Sequence, residues 1–140
     1  MRRKIIPDVL RERKMVSVGE KTTVREAAKL MREHDVGAVP IIGEKVLKGI
    51  LTVNDVTYRV VAEGLDLDET IVREVMTFEP DTIRSDTLAI EALRLMQDGG
   101  YRHLPVKDDG RVLGVVSRRD FYGAEKARLD DETAMWERIA

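Results

Sequence analysis

The sequence predicts an α/β (α+β) fold built from one unit used twice, each unit running strand–helix–strand–strand–helix. Two observations carry this. Gly49-Ile50-Leu51-Thr52-Val53-Asn54-Asp55 and Gly114-Val115-Val116-Ser117-Arg118-Arg119-Asp120 place a glycine, two aliphatics, a hydroxyl and an aspartate identically. The spacing between these copies is constant: Gly49 to Gly114, Asp55 to Asp120, Pro40 to Pro105 and Met31 to Met96 are each 65 positions, with no gap needed between them. A long, unbroken self-match of this kind marks an internal duplication.

The elements follow in order. Val16-Ser17-Val18 alternates and predicts a short strand. Thr23-x-x-Glu26 is a capping box, and Val24, Ala27, Ala28 and Met31 follow at helical spacing, so an amphipathic helix begins there and closes at His34-Asp35. Val36 to Ile42 is a strand whose Pro40 demands an edge or irregular position. Gly43-Glu44-Lys45 turns the chain into a return strand, Val46 to Leu51. A helix from Asp55 to Glu63 is stopped by Gly64. Ile71, Val72, Val75 and Met76 keep helical spacing, which predicts a packed connection. The second copy repeats the order: strand Thr82-Ile83, helical stripe Ala89, Ala92, Leu93, Met96, stop at Gly99-Gly100, strand Tyr101 to Val106, turn Asp108-Asp109-Gly110, strand Val112 to Val116. A last helix starts near Ser117. A tail helix carrying Met135, Trp136 and Ile139, capped by Asp131 or Thr133, is expected to dock on the body or a partner.

Composition narrows the function. The chain has 140 residues, 43% hydrophobic, enough for one compact domain or two halves sharing a core. A net charge of −2 and a pI of about 5.8 imply no general affinity for nucleic acid or membranes. Cysteine is absent, which excludes disulfides, thiolate metal sites and thiol nucleophiles. No apolar run reaches the roughly 18 residues of a membrane span, and the basic start is cut by Pro7 and Asp8 before an apolar region develops, so a cytoplasmic location is expected. The basic cluster of Arg2, Arg3, Lys4, Arg11, Arg13 and Lys14 is interrupted by Asp8 and Glu12 and reads as a solvated face.

The repeated heptad carries the chemistry. A strand ending in Val115-Val116 delivers Ser117 to the start of a helical turn, where free backbone N–H groups favour anions. Asp120, one turn in, offers a carboxylate suited to the two hydroxyls of a ribose. The same residues also form capping boxes that need no ligand, and the two roles are compatible. His34, at a helix end, reads as solvated, and His103 as either a packed strand residue or a phosphate contact. Met31 and Met96 read as core, and Asp108-Asp109-Gly110 as a plain turn. There is no nucleophile–base–orienter set, Walker-type loop or metal constellation, so no enzyme is expected.

Proline before the hairpin and G-h-h-[ST]-x-x-D after it, twice, resemble the cystathionine-β-synthase (CBS) domain pair, or Bateman module. Val72-x-x-Val75-Met76-Thr77 and Tyr101-Arg102-His103-Leu104-Pro105-Val106 add to the likeness, which runs from about Pro7 to Lys126. It divides the chain into repeat 1 at 7–66, repeat 2 with its connecting segment at 67–128, and a tail helix at 129–140. The resemblance implies two units packed sheet to sheet about a pseudo-twofold, with two clefts for AMP, ADP or ATP as regulatory ligand, or S-adenosylmethionine or NAD. No cofactor is required. Asp55 and Asp120 would hold ribose, and Thr52 and Ser117 ribose or phosphate. Ala38, Val39, His103 and Leu104 would flank the adenine. Arg102, His103, Arg118 and Arg119 would meet phosphate. Repeat 1 has Gly37, Ala38, Val53 and Asn54 where repeat 2 has those four basic residues, so one competent site is expected. A homodimer acting on a separate regulated protein completes the expectation; the other reading is a ligand-free dimerisation module.

Overall fold

The computed structural model describes residues 3–10, 15–121, 132 and 134–135. In repeat 1, helix α1 (Val24–His34) runs into strand β1 (Ala38–Gly43), strand β2 (Val46–Thr52) and helix α2 (Val53–Val56), which continues as a wider turn, Thr57–Val61. In repeat 2, helix α4 (Ala89–Gly99) runs into β4 (His103–Asp108), β5 (Arg111–Ser117) and a single turn, Arg118–Asp120. Between them lie helix α3 (Val72–Val75) and strand β3 (Thr77–Phe78). Both repeats carry mixed helix and strand as expected, and β5 packs against β1 and β2 to join them.

The 65-residue offset holds at the level of single hydrogen bonds. Val53 N–H reaches the Gly37 carbonyl, and Arg118 N–H reaches that of Arg102. Val36 N–H bonds the Met31 carbonyl, and Tyr101 N–H that of Met96. Both hairpins slip register at matching places, Ile41/Ile42 and Val106/Lys107. Helix α1 begins with the expected reciprocal box between Thr23 and Glu26 and buries Val24, Ala27 and Met31. It ends on Asp35 in the left-handed region (φ 50°), where repeat 2 has Gly100 (φ 72°).

The two short strands shrink to single bridges, Val18 beside Ile41 and Ile83 beside Val106, both parallel. Proline is the reason. Val18 N–H bonds the Pro40 carbonyl and Ile42 N–H bonds Val18, but the next rung toward Val16 needs an N–H that Pro40 lacks. Pro105 stops the ladder at Ile83 in the same way. The second helix starts at Val53 rather than Asp55, because Thr52 is its N-cap. The last helix is described only as the turn to Asp120; its continuation and the tail residues Asp131, Thr133, Trp136 and Ile139 lie outside the described residues, while Arg94 pairs with Glu132 at 2.6 Å.

Two cores result. One gathers Val24, Ala27, Met31, Val39, Ile41, Leu51 and Val60 with Val72, Val75 and Met76 of the connection. The other gathers Ile83, Ala89, Leu93, Met96, Leu104, Val106 and Val116 with Ile5 of the N-terminal turn, Ile5–Val9, and Leu10 just after it. The segment preceding each repeat therefore finishes the other repeat. Backbone bonds fix both: Ile5 N–H to Thr87, Ala89 N–H to Arg3, Val72 N–H to Thr22 and Val24 N–H to Thr70.

Candidate functional site

The two repeated motifs fold alike but end in different states. In repeat 1 the box is closed both ways, with Thr52 N–H on Asp55 at 3.0 Å and Asp55 N–H on the Thr52 hydroxyl at 3.1 Å. The Thr77 hydroxyl donates to the Asp55 carboxylate at 3.4 Å, and Arg59 stands 3.7 Å from it. Asp55 is 8% exposed, so its oxygens are committed to the protein itself. In repeat 2 the Asp120 carboxylate accepts the Ser117 N–H at 2.7 Å, and the buried Ser117 hydroxyl faces the Asp120 N–H in the same box arrangement but outside hydrogen-bond geometry.

Ser117 and Asp120 open onto a cleft of about 330 Å³ between the repeats. His103 and Arg119 line it from repeat 2, and Gly37, Ala38 and Pro40 from repeat 1. Val36, Leu113 and Val115 add apolar wall, Leu10, Met15 and Val16 add more, and His34 is also part of the lining. Glycine at 37 allows close approach: a Cβ there would stand 3.1 Å from Nε2 of His103. Arg119 reaches across to repeat 1, its Nη2 donating to the Asp35 carbonyl at 2.5 Å. Burial pushes the His103 imidazole pKa down; Asp120 opposes this, and Arg119 and Arg102 add to it. The result is a cleft of mixed polarity whose lining includes a hydroxyl, a carboxylate, a guanidinium and an imidazole. That set suits a base joined to a hydroxylated, anionic group. Among the described residues no group of three or more possible metal ligands occurs.

Of the residues singled out from sequence, the cleft brings together Ala38, His103, Ser117, Arg119 and Asp120. Thr52 and Asp55 lie apart from it, in the network with Thr77. Val39 and Leu104 send their side chains into the two cores, so only their backbone is left for a ligand. Arg102 and Arg118 are exposed and outside the lining. His34, Gly37, Leu10 and Met15 belong to the cleft and were not anticipated. Gly37 carried a usable signal, because it stands 65 positions before Arg102, beside the proline strand. Leu10 and Met15 carried none, since their place depends on contacts across the whole chain.

A CBS-domain profile matches residues 8–62 and again 72–126. The chain belongs to the CBS-domain family. It is 43% identical over 108 residues to a CBS domain-containing protein of Arabidopsis thaliana, covering 76% of this chain but 20% of that protein. The chain thus spans about a fifth of the length of the Arabidopsis relatives it matches. The CBS domain-containing protein YhcV of Bacillus subtilis is 37% identical over 106 residues, 76% of this chain and 75% of that one. Among solved structures, a CBS domain protein from Pyrobaculum aerophilum complexed with AMP superposes with a TM-score of 0.76 at 28% identity, covering 88% of this chain and 95% of the other. A CBS pair is a regulatory module, and this one keeps the two-repeat architecture. No helix among the described residues is long and apolar enough to cross a membrane.

Proposed function

We propose that this CBS pair is a non-catalytic regulatory module that binds one adenine nucleotide in the cleft between the repeats. Asp120 holds the ribose hydroxyls, Ser117 bonds ribose or phosphate, and Arg119 and His103 meet the phosphate. Ala38 and the backbone at Val39 and Leu104 flank the base, while Arg102 and Arg118 attract the anion from outside. The observation that carries this is the Ser117 hydroxyl, buried at the cleft beside Asp120, whose N–H it faces at a geometry too loose for a hydrogen bond. Such a hydroxyl costs about 1–3 kcal/mol until something bonds it, and a ligand oxygen removes that cost. The AMP complex of the Pyrobaculum relative supports adenylate as the ligand class. In repeat 1 the Asp55 carboxylate already accepts from the Thr77 hydroxyl and the Thr52 N–H, which supports one site rather than two. Bound nucleotide shifts the protein toward whichever arrangement it binds better, and by no more than that difference. Self-association as a homodimer and action on a separate protein belong to the same reading.

Thermal melting with AMP, ADP, ATP, S-adenosylmethionine and NAD tests it. A ligand at about 100 times its Kd adds about 2.7 kcal/mol. Asp120→Ala abolishes the shift with the apo fold kept. Asp55→Ala lowers apo stability by about 1–3 kcal/mol, as a lost cap and buried bond do, and keeps the nucleotide shift. If none of the five ligands moves the wild-type transition, the nucleotide reading fails and the ligand-free dimerisation module stands. Calorimetry giving two equal sites refutes the single-site assignment.

A further inference from the structure

The contact between Arg119 and Asp35 joins residues 84 apart, and Arg119 lines the cleft. A guanidinium carries five N–H donors in a rigid plane and can bond two acceptors on different edges. Here one terminal nitrogen is held by a backbone carbonyl while the side chain still lines the cleft. The acceptor sits just past the last turn of α1, where helix carbonyls gather partial negative charge and a cation is favoured. That turn is otherwise closed by Asp35 N–H on the Arg32 carbonyl and Val36 N–H on that of Met31. His34 and Val36, on either side of Asp35, also face the cleft. The equivalent pair in the other half is Asn54 and Gly100, which offers no charge for such a bond.

We propose that Arg119 is a cross-repeat anion clamp, positioned by the Asp35 carbonyl, so that the last turn of α1 registers whether an anion occupies the cleft. This rests on the nucleotide reading for the identity of the anion, but the positioning contact exists without it. An anion takes a charge-assisted bond from the free edge of the guanidinium. The guanidinium is thereby fixed between ligand and α1, and repeat 1 tightens in response to a group bound by repeat 2. Lysine, a single point donor, carries the charge but does not bridge both acceptors in one plane.

Hydrogen exchange on the full chain tests this, read in peptides covering residues 28–33 of α1, which do not line the cleft, and, as a fold control, residues 103–108. In the apo protein, Arg119→Met speeds exchange at 28–33 and leaves 103–108 unchanged. AMP slows exchange at 28–33 in the wild type. Arg119→Lys binds AMP about tenfold more weakly, the effect of one charge-assisted bond, and at saturating AMP shows no slowing at 28–33. Wild-type apo exchange at 28–33 in Arg119→Met, or full slowing in Arg119→Lys, overturns the clamp. If AMP fails to bind the wild type, the nucleotide reading falls alone; inorganic phosphate then takes its place, and no binding or no slowing with phosphate overturns the clamp too.

Discussion

His103 shows how one side chain ties ligand chemistry to stability. Its imidazole packs against Gly37 of the other repeat, within reach of the charges of Asp120, Arg119 and Arg102, and with His34 in the same cleft. Burial dominates and holds its pKa below the ordinary 6.5. In the unfolded chain the histidine takes up a proton at higher pH than in the folded one. Stability is therefore complete above about pH 6.5 and declines as pH falls from there through the lower folded pKa. His103→Asn removes this part of the slope, which urea denaturation at a series of pH values reads directly as the difference between the two proteins. Sequence reasoning left this histidine between a packed residue and a phosphate contact, and the structure shows why. It is half-buried against a neighbour from the other repeat, and it lines the same cleft as Arg119.

Among the elements, the pair of motif glycines separates two kinds of close approach. A Cβ on Gly49 would lie 2.5 Å from the Met76 sulfur and 2.7 Å from the Thr77 carbonyl oxygen, so β3 must move off β2 to admit it. A Cβ on Gly114 would meet only the tip of Leu10, at 2.7 Å, which can swing aside. Gly49→Ala is expected to cost about 1–3 kcal/mol, the usual range for overpacking, and Gly114→Ala less; chemical denaturation of both variants decides it. The glycines themselves were legible, because both copies keep them in step with the hydroxyl and aspartate. What lies over them was not. Strand β3 is two residues long and pairs with a strand more than 25 positions back, and so short a segment has no periodicity to read. Pro40 was legible as an edge or irregular position, but the effect of Pro40 and Pro105 in cutting the neighbouring strands to one bridge each appears only once the register is known. Helices α1 and α4, with long stripes and clear stops, match the sequence expectation closely.

For the molecule as a whole, the duplication made the architecture readable and also hid one feature of it. An exact offset encourages the view that each repeat is finished by its own flanking residues. Instead α3, which leads into repeat 2, packs in the core of repeat 1, and Ile5 and Leu10, which lead into repeat 1, pack in the core of repeat 2. Ile5→Ala, a truncation at a position with 0% exposure, is expected to cost about 2–5 kcal/mol and to lower the melting of both halves in one transition. Calorimetric and van't Hoff enthalpies that agree would verify the single step.

Nicking the polypeptide just after Gly64 would accordingly yield two fragments, each holding the missing interior piece of its counterpart. Alone, neither should give a folded spectrum. Mixed in equal amounts, they should recognise each other and recover the native signal, as complementary parts of a split protein do.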